Sequence, residues 1–254
     1  MTSTKNFLHE IEQKKAMRPT ANFDRFEADI RYAFDLKPVL YQPEMLNENF
    51  PAYFMYRDSY RNEKEKEKIR KAGLRFDYTI TPPNVIGMEY IKTYGHYHPK
   101  AGDLSYPEVY QVLEGEAIFV LQKRKERDDV IESLAVVEIN EGEIIIVPPG
   151  YGHVMINRTG EKLITSNWVC RDFKSIYEPY TSLRGACYYL TVDGWIKNER
   201  YREVPELSFA KNKTKRVLDV KGDMYELVDD LDTLEFLKKP DEYRDVFEDV
   251  LDFQ

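Results

Sequence analysis

The feature that most constrains the fold is a series of about nine short segments rich in β-branched and aromatic residues. They cover residues 76–81, 85–93, 108–112, 117–122, 134–139, 143–147, 153–157, 162–169 and 188–192. Turn-forming sequences separate them, among them Pro-Pro-Asn, Leu-Glu-Gly-Glu, Asn-Glu-Gly and Pro-Pro-Gly-Tyr-Gly. Short strands at such close spacing, with no long helical pattern between them, predict an antiparallel sandwich or barrel. The sequence therefore predicts a mainly β fold and argues against βαβ architectures.

The sequences on either side of this series have a helical character. Residues 58–72 are rich in helix formers and end at Gly73, and capping residues near Thr20 indicate an earlier helix. Near the C-terminus, 223–237 and 242–253 carry apolar residues at helical spacing. In the last segment the residues that share one face are Tyr243, Val246, Phe247, Val250 and Leu251. We expect this face to pack on the barrel or on a partner subunit.

These patterns predict three zones within a single compact domain. A helical N-terminal extension (1–73) packs on a barrel (74–204), and an acidic, partly helical extension (205–254) follows it. The net charge of −8 belongs to the last zone, because residues 221–254 carry twelve acidic and four basic side chains. The rest of the chain is balanced, so it need not repel an anionic substrate.

Composition also narrows the class of partner and the compartment. Basic residues form only short runs, which argues against nucleic-acid binding. No apolar run approaches the ~20 residues of a membrane span, and the polar N-terminus, which includes His9, does not resemble a signal peptide. Cys170 and Cys187 follow no metal-binding spacing and are expected to be buried thiols in a reducing compartment. We predict a cytoplasmic protein.

Three of the four histidines lie inside the strand series. Residues 95–98 read Gly-His-Tyr-His, and because side chains alternate across a strand, His96 and His98 should face the same side. Glu108 begins the next predicted strand, and His153 follows a Pro-Pro-Gly turn at the start of a later one. We expect these four side chains to converge inside the barrel.

Three imidazoles and one carboxylate suit Fe(II), Mn(II), Ni(II) or Zn(II) better than calcium or magnesium. Such a set leaves up to two positions of an octahedral ion open to the oxygens of a substrate. A His-x-His pair alone is a weak indication of a metal site, because its histidines can equally be surface residues or core residues that hydrogen-bond within the protein. Combined with Glu-Val-Tyr, a glycine hairpin and Pro-Pro-Gly-x-x-His, it predicts a site for a single metal ion.

At these residues the chain resembles the cupin superfamily. GHYHPKAGDLSYPEVY (95–110) resembles the first cupin motif, and GEIIIVPPGYGHVMIN (142–157) resembles the second. Within the cupins the chain is similar to the archaeal-type glucose-6-phosphate isomerases. The similar stretches are DYTIT (77–81), TYGHYHPK (93–100), EVYQVLEG (108–115) and VPPGYGH (147–153). The resemblance extends from about residue 76 to about residue 193.

The resemblance implies a cupin double-stranded β-helix, a jelly-roll barrel, with one divalent transition metal. It implies that the metal ligands are His96, His98, Glu108 and His153. It further implies that Thr79, Thr93 and the Gly95 amide hold the substrate's phosphate and that Tyr110 lines the sugar site. Lys100, two residues past the second histidine, is our candidate for a cation near the phosphate or for a partner of a supporting carboxylate. Fe(II) is the expected metal, with Mn, Ni or Zn as alternatives.

One segment departs from the family. A His-x-Tyr pair that follows the last barrel strands in the family has its counterpart here in KSIYEPY (174–180), which contains no histidine. Tyr177 or Tyr180 is then the candidate to reach the site, and ring opening would need a tyrosine or a metal-bound water.

The implied reaction is the metal-dependent interconversion of glucose 6-phosphate and fructose 6-phosphate through an enediolate. Glu108 is the candidate base, with a metal-bound hydroxide or a hydride shift as alternatives. The same donor set also suits an Fe(II)-dependent dioxygenase, and a cupin that binds a sugar without turnover is a third interpretation. Because cupins commonly pair their barrels, we also expect a homodimer whose ligand is a phosphorylated hexose.

Overall fold

The computed structural model describes residues 26–253, so the helix predicted near Thr20 and His9 lie outside the described residues. The strands are β1 (Asp29–Tyr32), β2 (Pro51–Tyr56), β3 (Leu74–Thr81), β4 (Val85–Ile86), β5 (Glu89–Tyr90), β6 (Glu108–Glu114), β7 (Glu116–Arg124), β8 (Ile131–Asn140), β9 (Ile144–Val147), β10 (Tyr151–Ile156), β11 (Leu163–Cys170), β12 (Tyr188–Thr191), β13 (Gly194–Lys197), β14 (Ala210–Asn212) and β15 (Leu251–Phe253). The α-helices are α1 (Glu63–Lys71), α2 (Glu178–Ser182) and α3 (Asp245–Glu248). Short 3-10 helices occupy Ala33–Val39, Pro43–Met45, Thr214–Arg216, Met224–Asp229, Leu231–Leu237 and Pro240–Glu242. Within the described residues, no helix is both long and apolar enough to cross a membrane.

The mainly β fold is confirmed, and each of the nine predicted segments contains strand. Segment 85–93 divides into the two-residue strands β4 and β5 at Gly87, which has a φ of +62°. A Cβ there would lie 3.0 Å from Met45 Cβ, so the turn needs glycine.

Two antiparallel sheets face each other across the barrel. The larger has the strand order β1-β2-β3-β11-β6-β9, and the smaller has the order β10-β7-β8. Apolar side chains from both sheets fill one end of the space between them, among them Val112, Phe119, Ala135, Ile145 and Met155. The other end is lined largely by polar side chains and holds the candidate site.

The six-stranded sheet is covered on its outer face as well. There Phe76 and Trp168 pack against Ile69 of α1 and against Tyr225 and Leu234 of the C-terminal segment. Because both faces of the sheet are covered, every residue of β11 is buried. Many antiparallel sheets instead leave one face exposed to solvent.

The predicted helical character of residues 1–73 is wrong for much of the described part. β1 and β2 extend the six-stranded sheet from β3, so the boundary drawn at residue 73 falls inside that sheet. The predicted helix over 58–72 begins only at Glu63, where the Asn62 side chain accepts from the Glu65 amide. The residues before it form a turn tied to β3, since the Asp58 amide donates to Asp77.

The C-terminal zone is also less helical than its apolar spacing suggests. Segment 223–237 forms two 3-10 helices, and segment 242–253 divides between α3 and the strand β15. Asp223 caps the start of the first 3-10 helix by accepting from the Tyr225 amide. Asp230, with a φ of −138° and a ψ of 67°, interrupts the helical backbone between the two. The predicted apolar face packs mostly on the chain's own sheet, with Val250 buried there and Tyr243 left exposed.

Candidate metal centre

Backbone pairing with β10 places the first two histidines. Residues 93–98 form isolated bridges rather than a regular strand, and the His96 and His153 backbones exchange hydrogen bonds of 3.3 and 3.0 Å. Gly95 permits this approach: it has a φ of +84°, and a Cβ there would lie 2.5 Å from Val154 Cγ2 and from Tyr180 Cδ1. A side chain at residue 95 would therefore push this segment off β10.

The four predicted ligands converge on one point. Their donor atoms all lie within 4.8 Å of one another. The Nε2 atoms of His96 and His98 are 3.1 Å apart, and Oε2 of Glu108 lies 3.3 Å from His98 Nε2 and 3.4 Å from His153 Nε2. On an octahedral ion with bonds of roughly 2.1 Å, adjacent donors lie about 3.0 Å apart. The spacing of the four donors therefore fits a single transition-metal ion.

The buried polar atoms support the same conclusion. His98 Nδ1 donates to the Tyr106 carbonyl at 2.9 Å, which directs an unprotonated Nε2 toward the cluster. The Asn167 amide donates to Oε1 of Glu108 at 2.7 Å. Oε2 of Glu108, in contrast, is buried without a well-formed hydrogen bond to any residue of 26–253. A buried carboxylate oxygen that faces imidazole nitrogens is stabilised by a cation.

The electrostatics favour the metal-binding forms of His96, Glu108 and His153. Burial lowers the pKa of His153 to about 4, although Glu108 partly opposes this shift. Burial and the other two imidazoles also hold the pKa of His96 well below its usual value. For Glu108 burial acts to raise the pKa, but the His98 and His153 rings and the Arg75 guanidinium outweigh it, and the pKa is lowered. Neutral imidazoles and an ionised carboxylate are the ligand forms of these groups.

Most of the predicted substrate contacts line the same cavity as the four donors. They are Thr79, Thr93, Gly95, Tyr110 and Tyr177. The Thr93 oxygen accepts from the Met155 amide at 3.0 Å, so its hydroxyl proton is left to donate. The Tyr110 hydroxyl lies 3.1 Å from His153 Nε2.

Lys100 and Tyr180 are not brought to the cavity. Lys100 is exposed, because after Pro99 the chain turns outward into a loop that closes through a backbone bridge between Lys100 and Ser105. Tyr180 is fully buried in the core, with its ring 5.5 Å from that of Tyr97. Lys100 is not among the residues that line the cavity, so this structure gives no support to its predicted role as the cation beside a phosphate.

The cations in the cavity wall are two arginines that the sequence analysis did not identify. Arg57 follows β2, and Arg75 lies on β3. The Arg75 guanidinium forms an ion pair with the Asp77 carboxylate, with N···O distances of 2.9 Å. Arg57 is partly exposed and makes a longer contact of 3.3 Å to Asp29. The sequence did contain a signal for Arg75: residues 75, 77 and 79 share one face of a strand, and Thr79 was already expected to face inward.

Tyr94 and Tyr177, which line the cavity, also line a neighbouring surface groove. That groove is further lined by Arg31, Phe34, Asp35 and Pro38. The two tyrosine rings contact each other edge to face between the cavity and the groove, with centroids 5.4 Å apart.

Comparison with known proteins gives consistent matches. The family model described as glucose-6-phosphate isomerase (GPI) matches residues 30–206. The glucose-6-phosphate isomerase of Thermococcus gammatolerans is 30% identical over 99 residues, which are 39% of this chain and 48% of that protein. The enzyme of Thermococcus litoralis is 29% identical over 147 residues, 56% of this chain and 69% of that protein. The match thus spans about half the length of the first relative and about two thirds of the second.

Solved structures of lower similarity include the oxalate decarboxylase of Bacillus subtilis, a protein with Mn(II) centres. It shares 16% sequence identity with this chain at a TM-score of 0.35, over 48% of this chain and 27% of that one.

Proposed function

Because this chain belongs to the glucose-6-phosphate isomerase family, we propose that it interconverts glucose 6-phosphate and fructose 6-phosphate in the cavity described above. The observation that carries the proposal is the convergence of three imidazoles and one carboxylate at the end of a cavity lined by hydroxyl and guanidinium groups. Conversion of the ketose to the aldose moves one hydrogen from C1 to C2 and one proton from the C1 hydroxyl to the C2 oxygen. No oxidant or reductant is required.

We infer that His96, His98, Glu108 and His153 hold one divalent transition metal. An ion held there would supply a positive charge beside the substrate oxygens on which negative charge develops. Fe(II) is our first candidate, with Mn(II), Ni(II) and Zn(II) as alternatives, because imidazole-rich sites accept all four. The buried Oε2 of Glu108 supports the assignment of that carboxylate as a ligand.

For the phosphate we propose the wall formed by Thr79, Thr93 and Gly95, with Arg57 as the cation in place of Lys100. Cross-strand pairing of Met55 with Thr79 puts residue 57 two positions along the strand, on the same face. Arg57 also keeps part of its guanidinium exposed, whereas Arg75 is engaged with Asp77. Arginine suits this role because its planar fork matches phosphate geometry.

For proton transfer we propose Glu108 as the acceptor. Among the described residues that line the cavity, the carboxylates are Asp77 and Glu108. The Asp77 carboxylate accepts from Arg75 and from the Asp58 amide, whereas Glu108 lies among the proposed metal donors. Its Oε1 accepts from Asn167, so that hydrogen bond would have to be given up for Oε1 to take the proton. The lowered pKa of Glu108 makes it a weak base, which keeps a direct hydride shift from C1 to C2 as the competing route.

Tyr177 and Tyr110 are the proposed groups around the sugar. The Tyr177 ring lies 5.4 Å from that of His96, and this proximity supports the proposal that Tyr177 assists ring opening in a segment without histidine. Burial and the nearby Glu108 carboxylate raise the pKa of Tyr110 well above its usual value. Tyr110 therefore stays protonated and can donate a hydrogen bond to a sugar oxygen.

A coupled assay for glucose 6-phosphate formation from fructose 6-phosphate tests the proposal. We expect activity in metal-loaded protein, loss after chelation, and recovery on adding Fe(II) or Mn(II). Glu108→Gln should fold normally and lose most of the activity. Deuterium from heavy water should appear at C2 of the product if a proton is transferred, and not if hydride moves directly. No turnover in metal-loaded protein would refute the proposal, and oxygen uptake measured alongside would identify a dioxygenase.

We also propose a homodimer located in the cytoplasm. The dimer has less support than the sequence suggested, because Val246, Phe247 and Val250 pack on the chain's own sheet. Sedimentation equilibrium of the full chain would decide the oligomeric state.

A further inference from the structure

Asn167 is a buried side chain that touches a predicted metal ligand and that no sequence motif singled out. It lies on β11, between β3 and β6, where its backbone pairs with Asp77 on one side and with Tyr110 on the other. It is 4% exposed, as is Glu108, and its Nδ2 donates to Oε1 of Glu108 at 2.7 Å.

We propose that Asn167 is a positioning residue that fixes the Glu108 carboxylate, so that only Oε2 faces the three imidazoles. The inference rests on the metal centre proposed above. It adds that the ion is bound through one oxygen of Glu108 and that an amide, held by two neighbouring strands, selects that oxygen.

The contacts of the two oxygens support this assignment. A carboxylate has two equivalent oxygens, and a carboxylate free to rotate could present either or both to an ion. Here Oε1 accepts a hydrogen bond from an uncharged amide, whereas Oε2 lies 3.3 and 3.4 Å from the Nε2 atoms of His98 and His153. Since the hydrogen bond is to an ionised group and is buried, it is strong enough to hold one rotamer.

The chemistry of residue 167 explains why an amide is suited to this place. An aspartate would put a second negative charge against Glu108, and a leucine could not donate a hydrogen bond. Hydrogen bonds to metal-ligating carboxylates typically contribute a factor of about 10–100 to metal affinity.

Cobalt binding tests the inference without relying on activity. The full-length protein is stripped with a chelator and titrated with Co(II), with the visible absorption and the Kd as readouts. Asn167→Leu removes the hydrogen-bond donor and keeps the side-chain volume, whereas Asn167→Ala removes both. If the two variants have the same Co(II) Kd and spectrum, the change comes from the lost hydrogen bond rather than from altered packing. Thr165→Val is the control, because Thr165 is buried on the same face of the same strand, two residues away.

We expect both Asn167 variants to bind Co(II) about 10–100-fold more weakly than the natural chain. Their visible bands should also change in intensity, because the released carboxylate can bind through both oxygens. Thr165→Val should match the natural chain in both readouts. If the natural chain binds Co(II) and the Asn167 variants bind it with the same Kd and spectrum, the positioning role is wrong and the metal centre stands. If the natural chain binds no Co(II), the metal centre itself is wrong, and this inference with it.

Discussion

Replacing Gly95 by alanine tests how the histidine segment is held against β10. The added Cβ would lie 2.5 Å from Val154 Cγ2 and from Tyr180 Cδ1, both of them in the core, and the backbone has a φ of +84°. A positive φ costs an alanine about 1–2 kcal/mol, and overpacking in a core typically adds about 1–3 kcal/mol. We therefore expect Gly95→Ala to lower the free energy of unfolding by about 2–5 kcal/mol.

Gly142 provides a matched control. Its φ of +85° is nearly the same, but a Cβ there would meet nothing within 4 Å. Gly142→Ala should therefore lose only about 1–2 kcal/mol. Urea denaturation of the two variants and the natural chain, each stripped of metal, measures the difference.

The two substitutions should also differ in metal binding. Residue 95 precedes His96, so a displaced backbone moves a proposed ligand, whereas Gly142 lies in the turn between β8 and β9. We expect Gly95→Ala to weaken Co(II) binding and Gly142→Ala to leave it unchanged. Equal unfolding free energies for the two variants would refute the account, because backbone strain alone would then explain both.

Three further predictions follow from the structure. Arg57→Ala should raise the KM for fructose 6-phosphate about tenfold or more and Lys100→Ala should not; equal effects would return Lys100 to the phosphate site. Lys92→Met should lower the free energy of unfolding by about 3–5 kcal/mol, because it leaves Glu89 charged, buried and without its partner. Adding Glu89→Gln should recover part of this loss, as measured by urea denaturation. No recovery would contradict the Lys92–Glu89 ion pair. Burial raises the pKa of Cys187 to about 12, so the contribution of its neutral thiol to stability is full below about pH 9 and is lost as the pH rises from there toward 12. A thiol reagent at pH 8 should react with the two buried cysteines only after unfolding. Rapid reaction of the folded protein would contradict their burial.

The elements that the sequence predicted well are those encoded locally. A β-branched run with a turn on either side specifies a strand by itself. His-x-His identified two donors as candidates, although backbone bridges to His153 and Ile176, rather than a regular strand, hold that segment. The four ligands were therefore accessible as candidates, because each lies in or beside a recognisable strand or turn.

The elements it predicted poorly depend on which strands become neighbours. Asn167 meets Glu108 only because β11 lies between β3 and β6, and Arg57 reaches the cavity only because β2 pairs with β3. Lys100 was chosen for its closeness in sequence to His98, but it is exposed and does not line the cavity. The apolar spacing at the C-terminus was ambiguous, because the same residues are buried here by short 3-10 helices packed on the sheet rather than by a continuous helix.

The C-terminal segment packs on the outer face of the six-stranded sheet, whose inner face lines the cavity. Trp168 stands between Asn167 and Val169 and points outward, where its indole donates to the Met224 carbonyl at 3.0 Å. The Gln111 side chain, next to Tyr110, accepts from the Met224 amide at 2.7 Å. Removing the C-terminal segment would leave every proposed ligand in the chain and yet loosen the strands that position them. The truncated chain should therefore hold its ligands less rigidly and show broadened Co(II) bands at saturating metal.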